Sequence, residues 1–277
     1  MTQPDTEKTV KLMEEVLDLF EARGIPISGA ASAARLDETA PPGFRPSDLL
    51  PGAKTVLIMA RPLPVSVFQT EKAYDNAFYV NAFAAYYGLM DEAASAACLA
   101  MERQGFASLP VPSYAPLRFV DGEPRGVFSL KHAAVEAGLG LMGKNSLLIH
   151  PEHGNVLRLG GLITTMEWPA PGPGNFSGLC PEKCNICQQA CPVGAIDHGR
   201  VDKMRCMGNC IRHVLLPPAR LLPPMKKVLA KSPRLTRLME LFAYNLFGHY
   251  GIACTRCLVS CPRFPGNGKK KVQGQAG

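Results

Sequence analysis

Apolar positions recur along the first 165 residues with two periods. Val10, Met13, Val16, Leu17 and Phe20 share one face of a 3.6-residue helix, so Thr9–Arg23 is predicted as an amphipathic helix that Gly24 stops. Pro51-Gly52 marks a turn, and the run Thr55-Val-Leu-Ile-Met-Ala60 after it has the length and composition of a short buried strand. Phe78–Gln104 carries a long helical pattern closed by Gly105, with Gly88 as a candidate break, and Phe128–Ala137 a shorter one. Ser146–His150 and Leu157–Thr165 read as strands, paired across a turn at His153-Gly154-Asn155. The pattern changes near Trp168. Pro169-Ala-Pro-Gly-Pro-Gly174 reads as a linker, Ala195–Asp197 and Val201–Asp202 as small strands, and Leu235–Phe247 as a helix ahead of Cys254. The expected fold class is α+β. A mixed α/β domain spans 1–168, a cysteine-rich module 169–264 and a basic, disordered tail 265–277.

Nine of the ten cysteines lie between Cys180 and Cys261. They form the motifs Cys180-x3-Cys184-x2-Cys187-x3-Cys191-Pro192 and Cys254-x2-Cys257-x3-Cys261-Pro262. Thiolates are soft ligands, close spacing lets one loop wrap several corners of a cubane, and the final proline breaks the loop. This is the pattern of 4Fe–4S ligation. Two such motifs imply a double-cluster, bacterial-ferredoxin-like module in which the cysteine before proline crosses to the other cluster. Cys180, Cys184, Cys187 and Cys261 then hold one cluster, and Cys191, Cys254 and Cys257 give three ligands to the second. A regular motif would place the fourth near position 251, but that residue is Gly251, which leaves Cys206 and Cys210 as candidates. Structural zinc needs no Cys-Pro endings. Disulfides need an oxidising compartment, and MTQPDTEKTV shows no apolar export segment. Cys98, inside the long helix, reads as a small buried core residue.

Composition adds limits. Hydrophobic content of 47% supports a real core, and no apolar run reaches the roughly 18 residues of a bilayer span. The richest stretch, Ala82–Met101, is interrupted by Asp91 and Glu92. A cytoplasmic protein without a membrane partner is expected. The formal charge of +7 falls to about +3 once two four-thiolate clusters are counted. A pI of 8.9 is then weak ground for a nucleic-acid partner, with tRNA left open. Lys269-Lys270-Lys271 in the Gly-rich tail read as a solubilising terminus.

Gly138-Leu-Gly140-Leu-Met-Gly143 matches GxGxxG literally, but a helix precedes it and a strand follows, the reverse of a dinucleotide fingerprint. The glycines read as a helix C-cap and a close-packed turn. The segment Ala137-Gly-Leu-Gly-Leu-Met-Gly-Lys-Asn-Ser-Leu-Leu-Ile149 resembles the AGLGxxGKNxxLI segment of epoxyqueuosine reductases. The resemblance extends to Leu50–Val56, Arg158-Leu159…Thr164-Thr165, both Cys-Pro motifs and Arg205-Cys206, covering roughly residues 9–264. It implies two 4Fe–4S clusters, with Cys206 as eighth ligand, and a cobalamin beside the nearer one, in a family related to the reductive dehalogenases. It also implies a low-potential electron donor of ferredoxin or flavodoxin type. The short C-terminal part is expected to leave no room for the helical-repeat domain that many members carry.

The resemblance breaks at one point. Counting back to the family's acid-donating aspartate lands on Pro124, with Asp121 and Glu123 as the nearest carboxylates. The substrate is therefore open. A general acid must lie within hydrogen-bond reach of its target, and Glu123, Asp121 and Tyr86 are the first candidates, with Tyr87, Lys144 and His132 behind them. Gly138, Gly140, Gly143, Lys144 and Asn145 are expected to line a cleft toward the nearer cluster and to contact the cofactor, since glycines let a large planar group approach the backbone. The alternative is a non-catalytic electron carrier or assembly partner on the same scaffold.

Overall fold

The computed structural model describes residues 6–70, 77–114, 117–212, 222–246 and 251–267. Helix α1 (Thr6–Ala22) leads into strand β1 (Ile27–Ser32), the short helices α2 (Ala33–Thr39) and α3 (Pro46–Leu49), and strand β2 (Thr55–Pro62). Helix α4 (Ala77–Arg103) and strand β3 (Ser108–Val111) follow. Next come a hairpin of β4 (Leu117–Val120) with β5 (Glu123–Gly126), helix α5 (Leu130–Glu136), a second hairpin of β6 (Leu141–Met142) with β7 (Leu148–Ile149), and strand β8 (Leu157–Thr164).

The central sheet is antiparallel throughout, in the order β1-β2-β8-β3. Strands β2 and β8 are its middle pair, with Thr55 opposite Thr164 and Arg61 opposite Arg158. Both are buried on two faces, which is why β2 reads as a continuous apolar run rather than an alternating one. Period two then sorts its side chains. Val56, Ile58 and Ala60 join Ala133, Ala134 and Ala137 of α5 on one side. Leu57 and Met59 join Val16 and Phe20 of α1 and Met90, Ala93 and Ala97 of α4 on the other. Each fully buried Leu, Ile or Phe contributes about 1.5–3 kcal/mol. Cys98 is 4% exposed in this second layer, a core residue as expected.

Several expectations need correction. Ser146–His150 and Leu157–Thr165 do not pair with each other. Leu148–Ile149 pairs with Leu141–Met142, while β8 lies between β2 and β3. Only the bridge His150–Gly154 remains of the expected hairpin. Strand β3 was hidden by Pro110, which an edge position tolerates because its missing N–H faces no partner strand. Helix α4 runs unbroken through Gly88, which is exposed with no atom near its Cβ direction, so the helix bears only the usual cost of about 1 kcal/mol.

Beyond the linker lie helix α6 (Ile186–Gln189), a small hairpin of β9 (Ile196–Asp197) with β10 (Arg200–Val201), helix α7 (Lys203–Cys210) and strand β11 (Ile211–Arg212). Helices α8 (Leu222–Lys231) and α9 (Pro233–Leu246), strand β12 (Gly251–Ile252) and helix α10 (Arg256–Val259) complete the order. Strand β12 pairs with β11. Helices α8 and α9 pack on the β4–β5 hairpin, with Leu229 of α8 and Met239 of α9 against Phe119, and Phe119 N–H donates to Glu240 Oε1 at 2.9 Å. The linker lies on α2, where Arg35 donates to Ala170 O at 3.3 Å and pairs with Glu136 of α5 at 3.3 Å. Lys269–Lys271 and Phe247 fall outside the described residues.

The sheet's close approach to α4 depends on Gly160, where an added Cβ would stand 2.7 Å from Met90 Cβ. Gly160→Ala is expected to destabilise the protein by about 1–3 kcal/mol through overpacking. A drop of several degrees in the thermal unfolding midpoint checks this, and an unchanged midpoint contradicts it.

Candidate functional site

The two cysteine motifs fold alike. Each enters through a turn, makes one helical turn (α6 or α10) around its middle cysteine and leaves at Cys-Pro. Cys191 N–H donates to Gln188 O at 3.1 Å, and Cys261 N–H to Leu258 O at 3.3 Å. Helices α6 and α10 pack against each other, so the motifs meet face to face.

Burial raises several of these thiols, and the cysteines that act on each show which are neighbours. The Cys187 thiol is pushed up by burial and then by Cys180 and Cys184. Cys261 is pushed up by burial and also feels Cys180, Cys187 and Cys184. Burial likewise raises Cys206, with Cys191 and Cys254 next. Cys257 rises to about 12 from burial, with Cys206, Cys254, Cys187 and Cys191 adding to it. Cys261 thus lies near the first motif, and Cys206 lies near Cys191, Cys254 and Cys257. Cys210 also has Cys206, Cys254 and Cys257 as neighbours. Its Sγ donates to Cys254 O at 3.3 Å, and burial raises it to about 12.

The segment after α5 explains its glycines and places its polar residues. Gly138 (φ 73) ends the helix, with Leu139 N–H reaching back to Ala134 O at 2.9 Å. At Gly140 (φ 151) a Cβ would stand 2.2 Å from Ile149 O, so the β6–β7 hairpin closes only over glycine. Gly143 forms the tight turn through Gly143 N–H to Leu147 O at 2.8 Å. From that turn Lys144 Nζ donates to the carbonyls of Pro181 at 3.2 Å, of Cys184 at 2.8 Å, and of Glu182. Asn145 Nδ2 donates to Cys257 O at 3.1 Å, and Asn155 Nδ2 to Leu258 O at 2.9 Å. The hairpin therefore holds both cysteine loops.

The candidate acids lie elsewhere. Glu123 and Asp121 sit on the β4–β5 hairpin. The Glu123 carboxylate is engaged by Lys226 of α8, and Asp121 (φ 53) is exposed, lining an open groove of about 410 Å³ with Arg237 and Glu240. Tyr86 lies under Arg61, whose guanidinium carbon is 4.4 Å from its ring centroid. His132 is exposed on α5.

Two features escaped the sequence reading. Arg158, 8% exposed at the start of β8, donates to Tyr79 OH and lies 5.1 Å from the Tyr79 ring and 5.7 Å from Phe83. Phe83 and Tyr114 flank Tyr87, and Tyr87 and Tyr114 stack at 5.3 Å. Burial raises Tyr79 to about 12 against the pull of Arg158, while Cys210 and Cys257 add to the rise, which sets this aromatic cluster beside the second cysteine set. The second feature is a group of cations. Lys131 is lowered by burial and by Lys203 and Arg158, and Lys203 by burial and by Arg125. Lys131 Nζ donates to Ser146 O at 2.8 Å and Lys203 Nζ to Pro124 O at 3.0 Å. Arg125 keeps a buried Nε without a partner among the described residues. A lone arginine in the apolar run Leu157–Thr164 was the available signal for the first feature. The second joins residues from four elements and has no local signature.

No protein-family model matches the chain. An epoxyqueuosine reductase of Synechococcus sp. strain RCC307 is 37% identical over 160 residues, which is 57% of this chain and 46% of that protein. The chain spans less than half the length of the curated relatives it matches. A solved selenomethionine-labelled epoxyqueuosine reductase superposes with a TM-score of 0.59 at 18% identity, over 93% of this chain and 67% of that one. Another, crystallised with a tRNA-Tyr epoxyqueuosine-modified stem loop, gives 0.52 at 20% identity over 72% and 57%. A catabolic reductive dehalogenase gives 0.50 at 17% identity over 82% and 36%. At these identities the structures share the fold.

Asn155 is 1% exposed, and its amide is a direct tie to the second loop. Asn155→Ala leaves the Leu258 carbonyl without that donor and is expected to cost about 1–3 kcal/mol. Limited proteolysis should then cut faster within 251–267, and an unaltered pattern contradicts the tie.

Proposed function

We propose that this chain, which is similar to the epoxyqueuosine reductases in sequence and fold, is an iron–sulfur reductase that delivers single electrons to a reaction cleft beside its second cysteine set. What supports this reading is the pair of Cys-Pro motifs whose one-turn helices pack against each other, with Cys261 near the first motif and Cys206 near Cys191 and Cys254. Cys180, Cys184, Cys187 and Cys261 would hold one 4Fe–4S cluster, and Cys191, Cys206, Cys254 and Cys257 the other. Each cluster would supply one-electron chemistry. On this reading, residues 1–168 form the cofactor and substrate domain and 169–264 the ferredoxin-like module, with electrons drawn from a low-potential ferredoxin or flavodoxin.

A cobalamin suits the aromatic wall of Phe83, Tyr87 and Tyr114 near Cys257, where flat apolar faces meet a cluster. It would supply the reactive metal centre of the reductive step. Gly138, Gly140, Gly143, Lys144 and Asn145 would serve the cofactors through the loops they hold rather than by contact with the corrinoid. The cations Lys131, Lys203 and Arg125 favour a phosphate-bearing substrate, and a modified tRNA stem loop is the first candidate, given the solved relative of the same fold. Lys203→Gln is expected to weaken stem-loop binding and to flatten its salt dependence.

One observation favours the electron-carrier alternative. Glu123 is tied to Lys226 and Asp121 faces solvent, so neither carboxylate is poised toward the aromatic cleft. Tyr86 and Tyr87 then remain as proton donors for the enzyme reading. Anaerobic purification with corrinoid supplementation separates the two readings. Corrinoid absorption and reduction of an epoxyqueuosine-bearing stem loop support the enzyme, and their persistent absence in a cluster-replete protein supports the carrier. Iron analysis should give about eight irons per chain. Cys206→Ala should lose about half of them, and Cys210→Ala should lose none. About four irons in the wild type, zinc in place of iron, or the reverse mutant result overturns the assignment.

A further inference from the structure

The loop presenting Cys180 and Cys184 turns five carbonyls onto two cations. Lys144 Nζ takes those of Pro181 at 3.2 Å, Cys184 at 2.8 Å, and Glu182. Arg263, just past Cys261-Pro262, donates through Nε to Leu179 O at 3.2 Å and through Nη2 to Gly178 O at 2.7 Å. A lysine ammonium has three donors, so Lys144 is saturated and its charge is fixed against this loop.

The second set has a different electrostatic setting. The Cys257 and Leu258 carbonyls accept from the neutral amides of Asn145 and Asn155 at 3.1 and 2.9 Å. The nearest acid, Asp202, caps the helix bearing Cys206 by accepting from Arg205 N–H at 2.9 Å, and its charge is offset by Arg205 Nε at 3.7 Å. The first loop's carbonyls are thus held by two cations and the second loop's by neutral amides, while the cations on the second side bond elsewhere, Arg158 to Tyr79 OH, Lys203 to Pro124 O and Arg205 to Asp202.

We propose that Lys144, assisted by Arg263, raises the reduction potential of the cluster on Cys180, Cys184, Cys187 and Cys261 above that of its neighbour, so that the first electron to enter the protein rests there. This rests on the two-cluster reading. Reduction adds one negative charge to the cluster, and a nearby fixed cation stabilises the reduced form. Net charge, hydrogen bonding and exposure are the levers that set such potentials. The electron comes from the ferredoxin- or flavodoxin-type donor, which is oxidised by one electron in the same step.

An EPR-monitored redox titration of the anaerobically reconstituted full chain tests this. Two one-electron midpoints are expected. Lys144→Met should lower the higher one by about tenfold in its reduction equilibrium, about 59 mV for one electron, and leave the lower one in place. Lys144→Arg should restore most of the shift. Arg263→Gln, a surface change, should move the same midpoint in the same direction by less. If the higher midpoint stays put, or both midpoints fall together while the iron content is intact, the proposal is wrong. If Lys144→Met loses iron, Arg263→Gln decides, and an unmoved higher midpoint in that variant overturns the proposal. Wild-type iron near eight atoms and two distinct EPR signals keep this outcome separate from a failure of the two-cluster reading.

Discussion

Helices of four residues, such as α6 and α10, satisfy only part of their backbone carbonyls locally, as where Gln188 O accepts from Cys191 N–H and Leu258 O from Cys261 N–H. The loops around the cysteines therefore hold their shape only where donors arrive from elsewhere. A buried carbonyl left without a donor costs about 1–3 kcal/mol, so those donors decide whether the thiols stay in place. They come mostly from one stretch of the N-terminal part, where Lys144 serves the first loop and Asn145 and Asn155 serve the second. The loops around Cys184 and Cys257 are thereby tied to a hairpin and its following turn, which contain no cysteine.

That hairpin depends in turn on the sheet. It closes over Gly140, which lies against the Ile149 backbone, and the chain continues through Gly154, where a Cβ would stand 1.9 Å from Arg263 O, into β8. Strand β8 is buried throughout, and Gly160 lets α4 lie close on one face. The same helix carries Tyr79 and Tyr87, while Arg158 opens β8. The core packing that stabilises the domain thus also sets an aromatic and cationic wall beside Cys210 and Cys257.

The legibility of each part followed from how local its cause is. Strand β2 and helices α1 and α4 were readable because burial patterns repeat within one element. The meeting of the two cysteine motifs was readable because Cys-Pro spacing encodes loop geometry, and Gly251 in place of a cysteine is why the sequence reading looked for a ligand outside the motif. The pairing of β8 was missed because its partners lie far away in sequence, and β3 because an edge position tolerates a proline that would disqualify a central strand. Lys144 was expected to face a cofactor, but its three carbonyl partners lie 37 to 40 residues onward, a contact no spacing rule encodes. Glu123 was singled out as the carboxylate nearest a family position, and its partner Lys226 comes from a helix about a hundred residues later.

The central claim is that two crossed sets of four thiolates each hold a cluster. Anomalous diffraction at the iron edge from anaerobically grown crystals of the reconstituted protein tests it most directly. The account predicts two multi-iron peaks, one enclosed by Cys180, Cys184, Cys187 and Cys261, the other by Cys191, Cys206, Cys254 and Cys257. A single peak, a zinc edge, or Cys210 in the coordination sphere in place of Cys206 would contradict it.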